Sequence, residues 1–290
     1  MSLESALVGQ DVAVASTSPV TRRRRRWTRP TLLGSSVVIV IWIAAAIRWE
    51  WIAPFGPSEA QSGGRFVGPG TEHLFGTDGF GRDVLSRVLA GSRPVLTVAP
   101  LAVLLATIGG TVLGLILGYF GGLVDGVAMR LLEAIAILPP LFPAILVVAL
   151  LGSSDTVLIL VLAFSFTPIV AWTVRAATLV EREKPFVEAA HLRGEGAGYI
   201  LGREILPNIA GAVVVEATVR LADAVFALAT LAFIGLGAQP GSPDWGAQVA
   251  DNRVNLQNAW WTVLFPAGAV ASLVIAVSLV ADHIREWKAP

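Results

Sequence analysis

Six stretches of the chain are apolar over about the length needed to cross a bilayer: Leu32–Ile52, Val95–Phe120, Met129–Leu151, Val157–Leu179, Ile209–Leu236 and Trp261–Ile284. Lipid offers no partner to exposed peptide groups, so a crossing segment closes its own hydrogen bonds as a helix of about 20 residues. The pattern predicts an all-α polytopic membrane protein with six transmembrane helices. It divides the chain into a disordered, basic tail (1–31), a first span (32–52), a long loop (53–94), a five-helix core (95–284) interrupted by a polar loop (181–207), and a short tail (285–290).

Basic residues orient the spans, because short basic loops resist translocation. Arg22–Arg26 and Arg29 precede the first span; Arg175, Arg182, Lys184, Arg193 and Arg203 lie between the fourth and fifth; Arg285 and Lys288 follow the last. The segment from Gly237 to Trp260 has only Arg253. Both termini are therefore expected in the cytoplasm, with Trp49, Trp51, Trp260 and Trp261 at the opposite interface. Arg22–Arg26 and the apolar run after it predict a retained anchor, since cleavage as a signal peptide would put the remaining basic loops on the wrong side.

Composition agrees. Of 290 residues, 54% are hydrophobic and 14% charged, too little polar surface for a soluble globule. Mean hydropathy is +0.70. Charge balances at 21 basic against 21 acidic residues, without the basic excess of a nucleic-acid binder. Cysteine is absent, which removes disulfides and thiolate metal sites. The only lysines, Lys184 and Lys288, precede Pro185 and Ala289, so no Walker A loop exists and this chain has no P-loop route to ATP.

Gly110, Gly114, Gly118 and Gly122 recur every fourth residue, a smooth stripe for close helix approach, within the chain or between chains. Pro139, Pro140 and Pro143 crowd the third span, Pro168 interrupts the fourth and Pro266 the sixth, as static kinks or as hinges. Glu216, Arg220 and Asp223 share one face of the fifth span, either as a self-neutralising set or as contacts in a solute pathway. Arg130 and Glu133 pose the same choice in the third.

Between the fourth and fifth spans the sequence reads Glu188-Ala-Ala-His-Leu-Arg-Gly194, followed by Leu206-Pro207. Glu188 is expected to begin a short amphipathic helix, Ala189 and Ala190 to allow close approach, and Gly194 to end it. Leu206-Pro207 is expected to stop the next helix. This segment resembles the EAA loop of ABC-importer permeases, the part that docks on a partner ATPase. His73–Arg87, containing Gly76-Thr-Asp-Gly-Phe-Gly-Arg-Asp83, resembles a signature of the dipeptide/oligopeptide/nickel permease family, "C"-type subunit. So do Phe233–Pro240, Asp244-Trp245-Gly246 and the tail from Ala281 to Glu286.

The resemblance implies the type I ABC importer permease fold with a cytoplasmic coupling helix, in a bacterial inner membrane. It implies four kinds of partner: a second related permease, two ABC ATPases, an extracytoplasmic solute-binding protein and membrane lipid, with no nucleic acid. The chain itself would be non-catalytic and bind no cofactor or metal, ATP and magnesium residing on the ATPases. Glu188, Ala189, Ala190, Gly194, Leu206 and Pro207 would couple to the ATPase; Glu216, Arg220 and Asp223 are pathway candidates. Asp78, Arg82, Asp83, Asp244 and Trp245 would lie in loops facing the binding protein, the first three pairing locally, with Val84–Arg93 a surface helix. Glu204, Leu228 and Ala281 depart from the family pattern. An ion-coupled secondary transporter using Glu216, Arg220 and Asp223 as a relay is the alternative. A membrane hydrolase finds no support, because His73, His191 and His283 are expected on different sides of the bilayer and no HExxH or GxSxG motif exists.

Overall fold

A computed structural model describes residues 29–60, 64–237 and 241–288. The basic run Arg22–Arg26, the tail before it, and Ala238, Gln239 and Pro240 of the 233–240 motif lie outside the described residues. Among those described the chain is all-helical: α1 (Arg29–Ile52), α2 (Val84–Phe120), α3 (Gly122–Ile137), α4 (Leu141–Leu151), α5 (Asp155–Arg182), α6 (Pro185–Leu192), α7 (Ala197–Tyr199), a π-helical turn (Ile200–Ile205), α8 (Leu206–Phe233), α9 (Trp245–Asn252) and α10 (Trp261–Lys288).

Four helices, α1, α2, α5 and α10, are long and apolar enough to cross a membrane, and α3 with α4 makes a fifth if the bent pair is one span. α8 is 28 residues long but carries Glu216, Arg220 and Asp223 at mid-length, so it does not join the apolar set. Two of the expected spans need correction. The third span is broken: Leu138-Pro139-Pro140 interrupts it and α3 and α4 meet at 79°. Tandem prolines supply no amide donors, and the residue before a proline is pushed out of the helical region; Leu138 accordingly has ψ 121°. The second span starts at Val84 rather than Val95, so Val84–Arg93 is the first three turns of α2 rather than a surface helix, and Arg87 is buried.

The glycine stripe seats α2 on α5. A Cβ on Gly110 would stand 2.6 Å from the Val170 Cβ, one on Gly114 2.6 Å from the Ala171 carbonyl oxygen, and one on Gly118 2.7 Å from the Thr178 Cβ. Both numbers rise together, so the two helices run parallel. Gly122 does not belong to the stripe: a Cβ there would meet nothing within 4 Å, and its φ of +74° places it in the link to α3. The main core lies among α2, α5, α8 and α10, with Trp245 and Trp261 within it. A second, smaller cluster of Leu115, Val170, Val174, Val187, Ala190, Ile200, Ile205 and Ile209 joins α2 and α5 to the 181–207 loop.

Candidate functional site

The 181–207 loop is a bracket pinned to the ends of α2 and α5. α6 begins at Pro185, three residues before the expected start at Glu188, because proline at the first helical position costs no hydrogen bond. Val187 and Ala190 face the small core, while Glu188 and Ala189 are exposed and Leu192 is 84% exposed. The helix ends where Glu195 N–H reaches the Ala190 carbonyl and Gly194 N–H that of His191, with Gly194 at φ +77°. That arrangement closes the last carbonyls and requires a left-handed residue, which glycine supplies without a Cβ penalty.

Leu206-Pro207 does not stop the following helix, contrary to expectation. α7, the π turn and α8 are continuous, and Pro207 sits in the first turn of α8, where Leu206 N–H bonds back to Leu201. The wider turn leaves room for the ring, and Asn208 Nδ2 donates to the Glu204 carbonyl at 2.6 Å. Arg193 reaches Glu204 at 3.2 Å, so the acid that departs from the family pattern braces the bracket. Tyr119 hydroxyl meets His191 Nε2 at 3.2 Å, joining the end of α2 to α6.

At the opposite end of α2 the 73–87 and 241–246 segments form a clasp. Asp78 accepts from the amides of Phe80 and Arg82, at 2.8 and 2.9 Å, and lies 3.8 Å from Arg87 Nε. Asp83 caps α2 by accepting from Ser86 N and Oγ, at 2.8 and 2.7 Å, and its other oxygen lies 2.9 Å from His73 Nδ1. Ser86 thus addresses the carboxylate and not the imidazole, which is no arrangement for a nucleophile. Arg87 donates to the carbonyls of Pro57 and Ser242, both at 2.9 Å. Trp245 Nε1 donates to Val88 at 2.7 Å, and Trp261 Nε1 to Thr77 at 3.1 Å. Asp78, Asp83, Asp244, Trp245 and Trp261 are therefore buried rather than presented at a surface or interface. Of the expected outward-facing set, Arg82 alone is partly open; its guanidinium lies over the Phe80 ring at 4.7 Å and pairs with neither aspartate.

Asp244 caps α9 by accepting from Gly246 and Ala247 N–H at 2.8 and 3.3 Å. Burial pushes its carboxyl above the usual carboxylate range; the two amides oppose the shift and Asp155 adds to it. The folded state therefore holds the proton more tightly than the unfolded chain does. Stability contributed here is greatest at low pH and is lost as pH rises through the raised value. Asp244→Asn keeps the acceptor, sheds the buried charge and is expected to melt at or above wild type with less pH dependence. Asp244→Ala is expected to lose about 1 kcal/mol. Thermal melts of the purified protein across pH check both.

Glu216, Arg220 and Asp223 form one ladder on α8: Arg220 meets Glu216 at 2.9 Å and Asp223 at 2.7 Å. Arg220 and Glu216 are mostly shielded, with side chains 19% and 14% exposed, whereas that of Asp223 is 47% exposed. Arg130 and Glu133 are exposed and form no ion pair among the described residues. No group of three His, Cys, Asp or Glu side chains among the described residues is arranged to hold a metal ion. Sequence reasoning missed the Asp125–Arg175 pair between α3 and α5, at 2.6 and 2.5 Å, although Asp125 beside an apolar run was a signal.

The family profile described as "Binding-protein-dependent transport system inner membrane component" matches residues 110–289. A dipeptide transport system permease protein, DppC, of Alkalihalophilus pseudofirmus is 36% identical over 250 residues, covering 86% of this chain and 82% of that one. The glutathione transport system permease protein GsiD of Escherichia coli O1:K1 is 36% identical over 90% of this chain and 87% of its own length. The probable D,D-dipeptide transport system permease protein DdpC of Escherichia coli K12 is 33% identical over 90% and 88%. An inward-facing structure of the MetNI methionine ABC transporter shares the fold: TM-score 0.57 at 17% identity, over 69% of this chain and 95% of that one. The chain belongs to the binding-protein-dependent transport inner-membrane family, the membrane permease subunits of ABC importers.

Proposed function

We propose that this permease forms half of the translocation pathway of an ATP-driven importer for di- or oligopeptides, or a related solute such as a nickel chelate. A second, related permease supplies the other half. Two ATPase chains carry ATP and magnesium and grip α6 at the cytoplasmic face, where both termini of this chain also lie. An extracytoplasmic binding protein delivers solute to the clasp end of the bundle.

The observation that carries this reading is the bracket itself. α6 is pinned through Val187 and Ala190 and locked at Gly194, yet it turns Glu188, Ala189 and Leu192 outward with no internal work for them. A short helix held stiffly at its base and bare on its far side suits a lever driven by another chain. Alternating access then follows as a population shift, nucleotide favouring one of two packings. Glu216, Arg220 and Asp223 are the charged groups we place along the pathway; the names of the relatives supply the peptide class.

The test is uptake of a labelled dipeptide into vesicles holding the permease pair, the ATPases and the binding protein. Uptake is expected to require ATP and to survive an uncoupler. Uptake abolished by the uncoupler while ATP is held constant would favour an ion-coupled carrier and overturn the proposal.

A further inference from the structure

α3 is weakly fastened to the rest of the chain. Its buried residues are Asp125 and Met129, and it is joined to α2 through Gly121 and Gly122, both at positive φ. Beyond Ile137 the helix breaks before α4. Against that background stands a two-point ion pair: Arg175 donates from Nε and Nη2 to the two oxygens of Asp125 at 2.6 and 2.5 Å. Such fork-to-fork pairs fix orientation as well as distance. A carboxylate in the first turn of a helix is already favoured by the helix dipole. The arginine is therefore not needed merely to tolerate Asp125.

Arg175 lies where α2 and α5 approach most closely along the glycine stripe. Its own backbone lines the glycine seam, its nitrogen 2.9 Å from where a Gly114 Cβ would stand and its carbonyl 3.0 Å from that of Gly118. Two turns further along α5, Arg182 donates to the Gly118 carbonyl at 2.9 Å, and Tyr119 continues the chain of contacts to His191 on α6. α6, the ends of α2 and α5, and the base of α3 are thus one hydrogen-bonded body.

We infer that Asp125 and Arg175 are positioning residues of the transport cycle: the pair carries displacement of α6 to α3, so that the first half of the broken span moves with the lever. The inference rests on the importer reading above. Removing the pair should leave ATP hydrolysis in place and detach it from movement of solute.

The chain has no cysteine, so a pair can be introduced cleanly. In the complete reconstituted assembly, Asp125→Asn is expected to keep the subunits together and to lower solute taken up per ATP hydrolysed by about tenfold. The exchange Asp125→Arg with Arg175→Asp is expected to recover most of the loss. Asp125→Cys with Arg175→Cys should be uncoupled until a short bifunctional thiol reagent bridges the two positions, and bridging should restore uptake. An intact Asp125→Asn assembly with wild-type uptake per ATP would overturn the inference. So would a bridged pair that blocks or fails to restore uptake, which decides the matter even if Asp125→Asn does not assemble. Wild-type vesicles without ATP-driven uptake would instead contradict the importer reading, and the role of the pair with it.

Discussion

Leucine at position 114 is expected to abolish accumulation of the folded permease in the membrane. A Cβ on Gly114 alone would lie 2.6 Å from the Ala171 carbonyl and 2.9 Å from the Arg175 amide. Both are backbone atoms of α5, so no rotamer relieves the clash and the helices must separate. Overpacking a well-fitted core costs roughly 1–3 kcal/mol and more where backbone is the obstacle. Here separation also opens the contacts at Gly110 and Gly118, and total stabilities are only about 5–15 kcal/mol. Gly109, one residue off the seam, is the control: a Cβ there would stand 3.6 Å from Thr167, ordinary contact. Membrane-fraction immunoblots and detergent melts of Gly114→Leu against Gly109→Ala read the difference. Equal abundance would mean that α2 and α5 do not pack as described.

The second large effect is functional. Glu188→Ala removes an exposed carboxylate that makes no hydrogen bond within the described residues, so folding should lose no more than the small first-turn dipole contribution, under about 1 kcal/mol. Gly194→Val forces a β-branched residue into φ +77°, at a cost of about 1–2 kcal/mol, with no steric obstacle around it. Both are expected to leave assembly in place and to reduce uptake per ATP by about tenfold or more. Gly194→Asn, which tolerates the left-handed region, is expected to retain more transport than valine. Wild-type uptake and wild-type binding-protein stimulation of hydrolysis in all three would remove α6 from the coupling pathway.

The apolar runs located the long helices because burial in lipid writes itself directly into composition. The seam was legible as a period of four, but its partner was not: nothing in Gly110, Gly114 and Gly118 names Val170, Ala171 and Thr178. Proline density marked the third span as irregular without placing the 79° break, since whether a helix bends or ends depends on what receives its unpaired carbonyls. The polar segments were hardest to read. Asp78, Asp83, Asp244 and Trp245 look like surface chemistry by residue type. Each is buried because the loop turns, the start of α2 and the start of α9 present amides and carbonyls that these side chains satisfy. Pro207 misled for a related reason: a π turn whose Ile200 and Ile205 are buried in the small core precedes it, and the helix continues through it.

Everything functional depends on α6 being gripped by a separate nucleotide-hydrolysing chain. Ala189, exposed on that helix in a chain free of cysteine, is the place to ask. With Ala189→Cys in intact cells, and a cysteine placed in the ATPase groove, the expected result is a cross-link whose yield changes when nucleotide is bound, and no labelling by a membrane-impermeant thiol reagent added outside. Labelling from outside, with no cross-link to the ATPase in any nucleotide state, would contradict the lever.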